Sequence, residues 1–108
     1  MAETLFSGFG IRTLATDAIR YNPVSYHNGS VWPHDSAIVG LGLRRYGFHD
    51  LAERVEAGLR AIAQGSPGQS LPEVIAGEEL GERPLTAFVH SCRPQAWAAA
   101  GLIAISRE

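Results

Sequence analysis

The sequence predicts an all-α chain, and three observations carry that prediction. Between Asp50 and Gln64 the apolar residues Leu51, Val55, Leu59 and Ile62 recur at i, i+4, i+8 and i+11, the repeat of a helix with one buried stripe. Prolines stand where helices open, at Pro33 and Pro94, and Gly47 stands where one stops. Alternation of apolar and polar residues over strand length is confined to Leu85 to Val89.

In chain order, Leu5 to Leu14 is glycine-punctuated and reads as an irregular loop. Its Gly8-Phe9-Gly10 has no strand before it and no third glycine after it, so it is not a dinucleotide fingerprint. The first helix is expected over Pro33 to Tyr46, with Ser30 as its cap and Ala37, Ile38, Leu41 and the Arg45 stem on its inner side. Gly40 and Gly42 each weaken that helix by about 1 kcal/mol relative to Ala, which predicts a neighbouring helix pressed close against it. After Phe48-His49, Asp50 is placed to cap a second helix ending near Gln64, and the short connection makes the pair an antiparallel hairpin. Gly65 to Ser70 is a loop, and Pro72 then holds Leu71 extended and keeps a helix out. Gly77 to Pro84 is a second, acidic loop; a last helix opens near Pro94, with Ser91 as a candidate cap, and runs through Trp97 to about Ser106.

A chain of 108 residues, 45% hydrophobic and 19% charged, is globular in composition, and residues 1–108 have room for one domain at most. The net charge is −2 and the nine basic residues are all Arg, with no basic stripe for nucleic acid. Cys92 is the single cysteine, so no intramolecular disulfide can form, and a cytoplasmic location fits best. The first residues lack the pattern of a signal peptide, and the longest apolar run, Ala96 to Ile105, falls short of the about 20 residues that cross a bilayer.

Chemistry concentrates in Tyr26-His27-Asn28-Gly29-Ser30-Val31-Trp32-Pro33-His34-Asp35, a loop running onto the mouth of a helix. Flat rings that cover the C–H face of a sugar, beside amides and carboxylates that bond its hydroxyls, are the parts of a carbohydrate site. On the residues alone a second reading stays open, with Trp32 in the core, His34 and Asp35 favoured in a first helical turn, and Asn28-Gly29 as a turn. Arg12 is equally open between a sugar contact and a guanidinium bonded to backbone carbonyls. Glu73, read alone, is an exposed loop glutamate. A metal site from His27, His34, His90 and Cys92 fits no zinc spacing, and Cys92 with His90 lacks the third group a nucleophile pair needs.

The stretch Ser25 to Asp35 resembles the signature of bacterial amylo-α-1,6-glucosidase (glycogen debranching enzyme)-like glycoside hydrolases. Two more segments are similar to that family in the same order: Leu71-Pro72-Glu73-Val74, and Ser91-Cys92-Arg93-Pro94-Gln95-Ala96-Trp97-Ala98. Ser7-Gly8-Phe9-Gly10-Ile11-Arg12-Thr13-Leu14 also agrees, with Phe9 where the family has Trp. The resemblance implies an (α/α)6 barrel, of which this chain would supply a C-terminal part of four or five helices with long functional loops. It implies Glu73 as the general base of an inverting glycosidase, and Tyr26, His27, Asn28, Trp32, His34, Asp35, Gln95, Trp97 and Arg12 as sugar-binding residues, with no metal and no cofactor. The implied partner is an oligosaccharide or polysaccharide with α-glucosidic linkages. The general acid would lie in a barrel segment outside this chain, so the 108 residues alone are expected to be inactive, and to be completed by the missing barrel half or to self-associate. The alternative is a non-catalytic carbohydrate-binding or remnant module.

Overall fold

The computed structural model describes residues 3–66, 71–80 and 95–107. They form three helices, α1 (Pro33–Arg45), α2 (His49–Gln64) and α3 (Ala96–Arg107). Among the described residues no strand exceeds a single bridge, so the protein is all-α, as a segment of a helical barrel would be. The expected alternation at Leu85 to Val89, the Ser91 cap and the helix opening at Pro94 lie outside the described residues.

α1 is the central element and packs against both α2 and α3, which touch each other little. α2 buries three of the four residues of the stripe its sequence carries: Val55, Leu59 and Ile62 are fully buried, each contributing roughly 1.5–3 kcal/mol of transfer free energy, and Leu51 in the first turn is half-buried. They join Phe6, Phe9, Val31, Ala37, Leu71, Ile75, Ala98 and Ile105 in one core. That core runs continuously from the helices into the loop segments, so the loops are anchored by burial.

Gly40 and Gly42 part company. A Cβ on Gly40 would overlap the terminal methyl of Ile105 on α3 and press on Val55 of α2, so glycine is what lets three helices meet there. Gly42 has nothing within 4 Å, and the expected close neighbour is absent. The inner side of α1 is correspondingly rotated from expectation. Ser36, Ala37 and Gly40 are buried, whereas Ile38 is 55% exposed and Arg45 is exposed.

The caps predicted at Ser30 and Asp50 are corrected. α1 opens on Trp32 with no side-chain cap, and Ser30 instead donates to the Tyr26 carbonyl at 2.8 Å while accepting from the Trp32 indole at 3.1 Å. α2 opens on Phe48, and Asp50 stands inside its first turn, where its charge complements the helix dipole. At the other end Arg44 donates to the Ile105 carbonyl, covering one of the acceptors that the last turn of α3 leaves unpaired. Arg44 also reaches Glu56, which pairs with Arg60 at 2.8 Å.

Candidate active site

Three segments far apart in sequence are laced into a layer over the opening of α1. Phe6 bridges Ile11, Arg12 bridges Val31, and Val31 bridges Ile75, all antiparallel. The Thr13 N–H donates to the Ser30 carbonyl at 2.8 Å, and Val31 and Ile75 exchange both N–H···O=C bonds at 2.9 Å. The Ile11 N–H donates to Ser36 Oγ on α1 at 3.0 Å, which fastens the layer to the helix.

This layer presents Glu73. Its flanks are fixed on one side by the Gln95 N–H donating to the Leu71 carbonyl at 2.9 Å, and on the other by the Val31–Ile75 pair. Leu71, Pro72, Val74, Ile75, Ala76 and Gly77 are all buried, so from 71 to 77 Glu73 alone keeps its side chain out of the core. An apolar, Pro-stiffened loop with one outward carboxylate is a rigid mount for that carboxylate.

The carboxylate borders a cavity of about 330 Å³ lined by Thr13, His27, Trp32, His34, Asp35, Glu73, Gln95 and Trp97. Seven of the ten residues singled out in the sequence thus meet on one concavity. Trp32 has its indole N–H engaged by the Tyr26 carbonyl and Ser30 Oγ, both at 3.1 Å, which holds the ring in place. His27 stacks parallel to it at 6.0 Å between centroids, and Trp97, 68% exposed, leans over His34 at 5.5 Å. Among the described residues two buried side-chain polar atoms have no hydrogen-bond partner: His34 Nδ1 and Gln95 Oε1. Both belong to cavity-lining side chains, and an unpaired buried polar atom costs about 1–3 kcal/mol unless a ligand or water meets it.

The other three residues are placed differently. Tyr26 packs edge-on against Trp32 at 4.5 Å and against His27 at 4.8 Å, supporting the rings from the side. Asn28 is exposed and contributes its carbonyl to the Asn22 N–H. Arg12 is 3% exposed, and its guanidinium donates to the carbonyls of Gly77 at 2.7 Å, Glu3 at 2.8 Å and Thr4 at 3.3 Å. Of the two roles open to Arg12, backbone anchoring is therefore the one its bonds fill. Phe9, where the similar family has Trp, is a buried core residue and no part of the cavity lining. Thr13 is the residue that sequence reasoning missed; its Oγ1 accepts from the Gly29 N–H at 2.8 Å and it lines the cavity. Its place inside the Ile11-Arg12-Thr13-Leu14 segment was the available signal.

A larger cleft, about 840 Å³, lies at the C-terminal end of α1 among Leu41, Arg44, Arg45, His49, Glu53, Glu56 and Ser106. Arg44 and Glu56 there are paired with each other. The smaller cavity, with its orphaned polar atoms and aromatic walls, is the better candidate for chemistry.

A family model described as the mannosylglycerate hydrolase MGH1-like glycoside hydrolase domain matches residues 2–78. The chain belongs to this glycoside hydrolase family. The matched span carries the whole loop layer, the aromatic cluster, α1, α2 and Glu73, while Gln95 and Trp97 lie beyond it. No curated protein matches the chain. As a member of the MGH1-like glycoside hydrolases, the chain has a carbohydrate as its implied ligand.

Proposed function

We propose that the chain carries the water-activating base and much of the sugar-binding wall of an inverting glycosidase, with Glu73 as the base and α-glucosidic bonds of the glycogen-debranching type as its target. The observation that carries this reading is the mounting of Glu73. One glutamate stands on an otherwise buried loop at the wall of a cavity whose other lining residues bring two indoles, two imidazoles, an amide, a hydroxyl and a second carboxylate. Water held against Glu73 loses a proton to the carboxylate as its oxygen bonds to the anomeric carbon. The glycosidic C–O bond breaks, and the leaving oxygen takes a proton from a separate acid. In such enzymes the two carboxyls stand roughly 6.5–9.5 Å apart to admit the water.

His34 and Gln95 suit hydroxyl recognition. Gln95 Oε1 accepts from a hydroxyl, and His34 Nδ1 donates or accepts according to its tautomer, so a sugar relieves the cost of leaving both unpaired. Asp35 fills the role of hydroxyl acceptor in this scheme, and the acid comes from outside the chain, in the remainder of the barrel.

The name of the matching family favours a second substrate, mannosylglycerate. Asp35 and Glu73 together place negative charge on the cavity wall, which opposes the glycerate carboxylate and supports the neutral glucan instead. The deciding experiment uses the full-length gene product on maltooligosaccharides, a branched α-1,6 glucan and mannosylglycerate, comparing wild type with Glu73→Gln. Glucan turnover that falls about 10²–10⁴-fold in Glu73→Gln, with binding retained, is expected. Hydrolysis of mannosylglycerate alone would give the substrate to the second reading. Binding of sugar without turnover by wild type would make the protein a carbohydrate-binding module.

A further inference from the structure

The guanidinium of the buried Arg12 bonds the backbone carbonyls of Gly77, Glu3 and Thr4, and a buried guanidinium is costly unless it is hydrogen-bonded. Its position shows what those bonds accomplish. The Glu73 loop is held before Glu73 by the Gln95 N–H on the Leu71 carbonyl at 2.9 Å, and after it by Ile75, paired with Val31. A third point of attachment, further along the chain, is Gly77, whose carbonyl takes the Arg12 Nε–H at 2.7 Å and the Tyr21 hydroxyl at 3.2 Å, and whose N–H donates to the Pro23 carbonyl at 2.8 Å. Arg12 is the member that spans: its Nη1 reaches the Glu3 and Thr4 carbonyls while its own backbone bridges Val31. One residue thus ties the N-terminal turn, the strand-like residue before Trp32 and the far end of the Glu73 loop.

We propose that Arg12 is a positioning residue for Glu73, setting the height and tilt of the carboxylate by pinning Gly77. The inference rests on Glu73 being the base. A planar guanidinium suits the task because it presents several donors in a fixed fork to carbonyls in different directions, which the single ammonium of Lys cannot do. Misplacing a reacting group by about 1 Å costs on the order of 10²-fold in rate.

The test compares Arg12→Ala, Arg12→Lys and Glu73→Gln in the full-length gene product, measuring kcat, KM and rescue by millimolar guanidinium. Arg12→Ala is expected to lower kcat by about 10²-fold with KM within about threefold, and guanidinium is expected to restore it while leaving Glu73→Gln unrescued. Arg12→Lys should stay low in kcat. A folded Arg12→Ala with native kcat, beside an inactive Glu73→Gln, overturns the positioning role and leaves the base in place; a raised KM with native kcat makes Arg12 a sugar ligand and overturns it too. Near-native turnover by Glu73→Gln removes the base reading itself, and the positioning role with it. Hydrogen exchange on the 108-residue chain supplies a second measurement independent of turnover. Arg12→Ala should speed exchange of the Ile75 and Gly77 amides at least tenfold with the α2 amides unmoved, and equal acceleration everywhere would reduce Arg12 to general stability and overturn the proposal.

Discussion

Val31 and Ile75 donate to each other's carbonyls at 2.9 Å, two residues beyond Glu73 on one side and one residue before Trp32 on the other. That single reciprocal pair sets the register between the proposed base and the aromatic wall. Both residues are fully buried, so the bonds are shielded from water. The amides of Val31 and Ile75 are expected to exchange hydrogen as slowly as that of Leu59 in the middle of α2. Exchange as fast as that of surface turns would mean that the site layer opens independently of the helices.

Gly42 and Gly58 are expected to respond oppositely to alanine. Gly42 faces open space in a helix interior, and Gly42→Ala should stabilise the fold by about 0.5–1 kcal/mol. On α2, a Cβ at Gly58 would overlap the carbonyl oxygens of Phe9 and Gly8, backbone that cannot swing aside, so Gly58→Ala should destabilise by about 1–3 kcal/mol. Chemical denaturation of the two variants checks both signs.

Glu56 links acidity to the joint between helices. Burial pushes its carboxyl up, but hydrogen bonds from Arg60 and Arg44, the charge of Arg60 and a hydrogen bond from Ser106 outweigh it, leaving it below the ordinary value of 4.5. A carboxyl that is more acidic folded than unfolded stabilises the fold above the unfolded value and loses that contribution as pH falls through the folded one. Wild type should therefore lose thermal stability below about pH 4.5 more steeply than Glu56→Gln. Parallel pH curves for the two proteins would rule out this linkage.

The isolated 108 residues are expected to release no glucose from glucans, because protonation of the leaving oxygen requires an acid that this reading places elsewhere in the barrel. Glu73-dependent release at an enzymatic rate would instead make Asp35, the other carboxylate on the cavity wall, the acid. The check is product analysis with Glu73→Gln as blank.

Apolar side chains on the outside point to association. Ile38 and Val39 of α1 and Trp97 and Ile103 of α3 are each 42–68% exposed, and α3 is apolar on most sides. A helix of that composition is normally covered. Sedimentation at rising concentration should show the isolated chain associating, and Ile38→Ser with Ile103→Ser should shift it toward monomer.

What could be read from the sequence was local. The α2 stripe, the Pro33 opening of α1 and the Gly47 stop follow from periodicity and backbone restriction within a few residues, and the helices lie where those signals place them. The caps at Ser30 and Asp50 were misjudged because a side chain that suits a cap can be claimed by a better partner, as Ser30 is by Trp32 and Tyr26. The bridging of Arg12, Val31 and Ile75 carries no local pattern, since each contributes a single pair. The difference between Gly40 and Gly42 depends on Ile105, which only the folded chain brings near. For the site, chemistry and family resemblance marked ten residues of which seven line one cavity, while the anchoring bonds of Arg12 depend on carbonyls that only the folded chain brings together.

The bond from Arg12 to Gly77 closes a loop of 65 residues, whereas the α1–α2 hairpin turns on three. Loop-closure entropy grows with the length enclosed, and chains rich in local contacts fold faster than those that wait on distant ones. The helical hairpin is thus placed to form early, and the layer that mounts Glu73 to assemble last. A nascent or partly denatured chain would then be helical yet have no site: the fold comes to completion at the point where its chemistry begins.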